Sequence, residues 1–209
     1  MILARWMENP LIVIAVLMLL LTACGKSRPS RARVEAEIRE CLIDVSVLPH
    51  GWTVAEGPGP YDLPERVLPG RALGGVAVSF FQPKFGARAF HRLFLYSSPR
   101  KSSQEFERQQ QAEFFSSGRL TPWVNPRISY TGSIADRLRM ACADFEAVHD
   151  TRRHYCTAMA QYGALLSIFD TWSSPEYMSE EEFAHVLQAI DERMKWCLDE
   201  KVPQFIPDE

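Results

Sequence analysis

Five cysteines and five histidines carry most of the chemistry this sequence offers. A thiol can be alkylated, oxidised to a disulfide or bound to a metal, and its surroundings decide which. Cys24 closes an uninterrupted apolar run, Leu11 to Leu21, with only Thr22 and Ala23 between. Cys41, Cys142, Cys156 and Cys197 are spread through the remainder. Among the histidines (His50, His91, His149, His154 and His185), His149-Asp150 and His154 lie close enough to form a small exposed metal site or a solvated polar turn. His185 follows Glu180, Glu181 and Glu182, acids that favour a helix start. Asp136 precedes Arg137 and Arg139 and reads as a surface ion pair. Nucleophile-elbow, zinc-protease, phosphate-loop and dinucleotide motifs are missing. The sequence therefore names no catalytic residue, no metal and no cofactor.

The N-terminal segment is the most informative. Arg5 gives a positive start, partly cancelled by Glu8, and an apolar run of eleven residues follows. A bilayer span needs roughly 20 residues, so this length fits the hydrophobic stretch of an export signal. Its end, Leu21-Thr22-Ala23-Cys24, resembles the lipobox of bacterial lipoprotein precursors: an aliphatic residue, two small ones, then cysteine. That resemblance implies a diacylglycerol thioether on Cys24, cleavage after Ala23 and a membrane-lipid anchor. Two or three acyl chains, at about 0.8 kcal/mol per buried CH₂, hold stably where one is marginal. Gly25 to Arg31 (GKSRPSR) reads as a polar tether, with three basic residues placed to meet anionic headgroups. Gly25 leaves inner and outer membrane open.

Export bears on the other cysteines, because disulfides persist in oxidising compartments. Leu138 to Val148 and Arg153 to Thr171 read as two strands of a hairpin, which sets Cys142 nearly opposite Cys156. Val34, Ile38, Cys41, Leu42 and Val45 share one face of a first helix; Phe183, Leu187, Ile190, Met194 and Cys197 share one face of a last helix. Both faces point at one core, so Cys41–Cys197 is the second expected pair. A loop that long contributes about 4 kcal/mol in the chain-entropy account. A four-cysteine metal site lacks any CxxC or CxxH spacing, and free buried thiols are the remaining alternative.

These residues need elements to position them. The first helix spans Arg31 to Val47, and Trp52 to Val54 forms a short strand. Gly57 to Gly70 is an irregular Pro- and Gly-rich loop. Leu73 to Phe81 and Ala89 to Ser97 are strands joined by a turn at Pro83 to Gly86. A helix begins at the capping box Ser102/Glu105 and ends at Gly118. Ile128 to Gly132 is a further strand; then come the hairpin and a last helix from the box Ser179/Glu182 to about Asp199. Residues 1–23 are thus the signal, 24–33 the tether, 34–200 one α+β domain and 201–209 a tail. With 46 % apolar residues the domain can build a core. Its 23 basic and 26 acidic residues are interspersed, which argues against nucleic acid as a partner.

The expected fold is a largely antiparallel sheet with helices packed on it. It resembles the α/β/α sandwich of the PsbP/Mog1 group through Leu48-Pro49-His50-Gly51-Trp52, the central hairpin Ala135 to Thr171 and the closing helix after Ser179, over residues 34–199. That group includes sensor-like domains and small lipoproteins. Trp52, Trp123 and Trp172 form either an apolar pocket at the sheet rim or ordinary packing. The leading expectation is a membrane-anchored, non-enzymatic binding, sensor-like or assembly domain with a possible envelope protein partner. A surface-tethered hydrolase or metal-dependent enzyme and a structural envelope protein without a small ligand are the alternatives.

Overall fold

The computed structural model describes residues 29–61, 68–115, 117–128, 130, 134–147 and 151–206. The expected export signal, Cys24, residues 25–28 of the expected tether, His149 and Asp150 lie outside the described residues. Helix α1 is Arg31–Ile38, capped by Ser30. Strands β1 (Thr53–Pro60), β2 (Gly74–Gln82) and β3 (Ala87–Leu95) follow. Helix α2 is Pro99–Glu113. Strands β4 (Arg137–Ala147), β5 (Thr151–Tyr162) and β6 (Leu165–Ser173) precede α3, Glu180–Glu200.

The six strands form one antiparallel sheet in the order β1-β2-β3-β6-β5-β4. The α+β expectation holds, with helices on both faces. Strand alternation sorts the side chains. Val76, Val78 and Phe80 of β2, Leu93 and Leu95 of β3 and Phe169 of β6 join Val34 and Ile38 of α1 and Phe183, Leu187, Ile190 and Met194 of α3. Phe94, Met159, Leu166 and Ile168 point the other way and meet Phe106 of α2. Burying each such large side chain contributes about 1.5–3 kcal/mol. Both expected cysteine pairs are present: Cys41–Cys197 with Cα atoms 5.8 Å apart, and Cys142–Cys156 with Cα atoms 4.1 Å apart. The box Ser179/Glu182 starts α3 as expected.

Several local expectations are corrected. The first helix does not run to Val47. It tightens into a 3₁₀ turn at Arg39–Cys41, and the Asp44 side chain takes the Ser46 N–H at 2.9 Å to start a second turn, Val45–Val47. A short acid competing for backbone donors ends a helix in this way. Gly57 to Pro60 is not loop but the second half of β1. Strand β1 has one neighbour and two register shifts, so Pro58 and Pro60 cost it few ladder bonds. Helix α2 is capped by Ser98 and starts at Pro99; Ser102 is buried inside it and donates to the Leu165 carbonyl at 3.2 Å. The stretch Arg153 to Thr171 is two strands, not one. Gly163 at φ +54°, with Ala164, makes a two-residue turn between β5 and β6. Of Ile128 to Gly132, Ile128 and Tyr130 are described and neither is in a strand. The string of nine elements therefore matches, although the last three strands are drawn from different residues. The tail is partly built in: Val202 and Phe205 pack on the core. Among the described residues, no helix is long and apolar enough to cross a membrane.

Gly74 marks where α1 lies closest to the sheet: a Cβ there would stand 2.7 Å from Val34 Cγ1. We expect Gly74→Ala to lower stability by about 1–3 kcal/mol through overpacking. Urea unfolding of the variant beside wild type checks this, and an unchanged midpoint contradicts it.

Candidate functional site

Helix α2 does not cover its whole face of the sheet. It lies over β5 and β6. Beside it, Phe114, Phe115, Trp123, Phe145, Tyr155 and Trp172 form a chain of ring contacts with centroids 4.9–6.5 Å apart. Arg139 lies over the Phe114 ring at 3.9 Å. Over β1, β2 and β3, Leu68 and Phe94 pack above Gly75, and beyond them the described residues leave part of the same face uncovered, because β2 presents small residues there. Gly75, Ala77 and Ser79 alternate with Val76, Val78 and Phe80, which serve the opposite core. The result is a cleft of about 360 Å³, floored by Ala77 and Ser79 and walled by Pro60, Tyr61 and Phe90. That volume is within the range of small-ligand sites. Phe90 remains 36 % exposed. Tyr61 meets Phe94 edge to face at 5.0 Å, and its N–H donates to the Gly75 carbonyl at 2.8 Å.

Arg92 closes the inner end of the cleft. Its guanidinium donates to both Glu113 oxygens, at 3.0 and 2.7 Å, and to Asp170 Oδ2. Asp170 is buried and also accepts from Thr157 Oγ1 at 3.1 Å. Burial opposes the charge on Arg92, but the Asp170 and Glu113 carboxylates outweigh it and raise its pKa well above the ordinary value. Burial also raises the pKa of the adjoining Tyr155 phenol, with Asp170 adding to the effect. The Arg92 guanidinium, held by two carboxylates, sets a polar group beside an aromatic wall. Among the described residues, the lining includes no histidine or cysteine. Such a surface can hold and orient a small, partly apolar molecule.

The residues singled out from sequence lie elsewhere. His91 is fully buried between β3 and the opposite core. Its Nδ1 accepts from the Ile43 N–H at 3.2 Å, so Nε2 carries the proton and faces Ser167 Oγ at 3.0 Å. Burial, reinforced by the Arg92 charge, pulls its pKa down to about 3. His154 pairs through Nδ1 with Asp144 Oδ1 at 2.8 Å, and Arg152 also donates to Asp144. His154 opposes Ser173 on β6, whereas His91 opposes Phe169, four positions along, so these two histidines are not brought together. His50 and His185 are exposed. The expected ion pair at Asp136 is replaced: Asp136 accepts from the Gly163 N–H at 2.6 Å, while Arg137 and Arg139 turn to Glu107 and Gln110 of α2. A short acid satisfies a turn donor better than it reaches a neighbour on the same strand. The three tryptophans do not converge. Trp52 donates to the Tyr177 carbonyl at 2.8 Å, and Trp123 and Trp172 flank Tyr155. Only the small-large alternation Gly74 to Phe80 gave a sequence signal for the cleft.

Two stability measurements probe this region. Arg92→Met leaves buried Asp170 without its cation and should cost about 3–5 kcal/mol; a loss under 1 kcal/mol in thermal unfolding would show the pair to be dispensable. For His91, the folded pKa near 3 lies below the unfolded value of 6.5. Below pH 6.5 the unfolded chain takes the proton first, so stability is complete above that pH and falls down to about pH 3. The slope from this group approaches about 1.4 kcal/mol per pH unit. Urea titrations of His91→Gln between pH 7 and 4 should show a shallower decline than wild type, and parallel curves would refute the assignment.

Comparison with known proteins finds no matching family model, no matching curated protein and no matching solved structure.

Proposed function

We propose that this chain is an exported bacterial lipoprotein whose domain binds a small ligand and performs no catalysis. In this reading residues 1–23 are removed and Cys24 holds the domain to a membrane through its lipid. The supporting observation is the division of the five cysteines. Cys41, Cys142, Cys156 and Cys197 form two pairs, which suits an oxidising compartment, and this leaves Cys24 as the odd thiol at the end of an apolar run. Leu21-Thr22-Ala23 ahead of it supplies the small residues that a membrane-embedded signal peptidase needs. The domain's own contribution is the cleft over β1–β3, with Phe90 as an apolar contact and the Arg92 group at its end.

The anchor is tested by expressing the chain in a bacterial host supplied with labelled palmitate. Wild type should carry the label and sediment with membranes. Cys24→Ser should lose the label and keep residues 1–23, which intact-mass measurement reads directly. A labelled Cys24→Ser chain would refute the reading.

A further inference from the structure

The β4–β5 hairpin places a set of metal-binding side chains that no local spacing in the sequence reveals. Cys142 opposes Cys156, and two residues along, Asp144 opposes His154. A period of two puts all four on one face of the hairpin. A ring nitrogen of His154 and the two sulfurs lie within 4.8 Å of one another. Asp144 holds the imidazole by Nδ1, which leaves Nε2 with the free lone pair. A carboxylate fixing the far nitrogen of a histidine is the usual support of a zinc ligand. The sulfurs are buried, whereas 34 % of the His154 side chain is exposed. Asp144, His154, Ser173 and Tyr177, with Arg152 and Arg153, line a hollow of about 480 Å³ on the His154 side of the sulfurs.

We propose that reduction of the Cys142–Cys156 bond converts this hairpin into a zinc site. Cys142, Cys156 and His154 are the ligands, Asp144 orients the imidazole, and the fourth position opens to solvent. Two thiolates and one imidazole with an open position are a ligand set that zinc accepts, and soft thiolates select it over magnesium or calcium. The chemistry has two steps. A dithiol reductant breaks the S–S bond by exchange, becomes a disulfide itself and leaves two thiols on the protein. The zinc ion then displaces one proton from each thiol, with no further electron transfer. In the oxidised chain both sulfurs are committed to each other, so the site is closed. The inference stands apart from the anchor and the cleft, since neither contributes a ligand.

The test uses the full chain in detergent, reduced anaerobically with a phosphine, which competes weakly for zinc. Cobalt(II) should produce thiolate-to-metal charge-transfer and tetrahedral d–d bands that one equivalent of zinc abolishes. The oxidised chain should produce none. Asp144→Asn should weaken zinc binding about 10–100-fold. His154→Ala, which keeps every thiol, should weaken it at least as much. Unchanged bands in His154→Ala would place the metal on other thiols and overturn the proposal. So would equal responses from oxidised and reduced chains, or a reduced chain that binds no cobalt.

Discussion

Seven opposed residue pairs between β3 and β6, from Ala89↔Thr171 to Leu95↔Leu165, join two three-stranded halves into one sheet. Without that seam β3 and β6 would each become an open edge with unpaired backbone donors and acceptors. Its register is fixed from both sides. Toward α1 and α3, Leu93, Leu95 and Phe169 fill one core, and His91 ties Ser167 to the Ile43 backbone. Toward α2, Arg92 reaches from β3 to Asp170 on β6 and to Glu113 at the end of the helix. A slip of one residue would carry Arg92 into the apolar core and Leu93 out of it. The polar group that closes the cleft is thus also what keeps the seam in step.

Much of the fold was legible because burial imposes a period. The inward faces of α1 and α3 and the opposition of Cys142 and Cys156 follow from spacing alone. What escaped lacks a polar or periodic mark. Tyr162-Gly163-Ala164-Leu165 turns the chain with a single glycine inside an apolar run, so it reads as strand. Gly57 to Pro60 reads as loop because proline is normally expelled from sheets, yet an edge strand tolerates it. Ser102 and Glu105 have the spacing of a cap but lie inside α2. The cleft was hardly legible. Arg92, Glu113 and Asp170 come from three elements far apart in sequence, and their meeting is a product of strand order.

Both outer edges of the sheet are protected by different means. Strand β1 is bulged and carries Pro58 and Pro60, so its outward side offers few donors in line. Strand β4 is covered in part: Leu120 and Val124 donate to the carbonyls of Asp144 and Cys142, and Arg119 bridges Phe145. An open edge is a template for pairing with another chain, and these devices remove it. The covering segment leaves Leu120 and Val124 more than half exposed, so it shields the backbone without hiding its own apolar side chains.

The Cys41–Cys197 bond also sets how the domain carries load. It joins residues 156 positions apart, close to the first and last described residues. A pull applied ahead of Ser30 enters α1, crosses the bond into α3 and leaves near Phe205. The six strands lie on the slack side of that path. Tension can peel only the stretches outside the two cysteines, α1 among them, while the covalent chain of the sheet, the cleft and the β4–β5 hairpin stays off that path. The domain is a closed loop hung from its clasp.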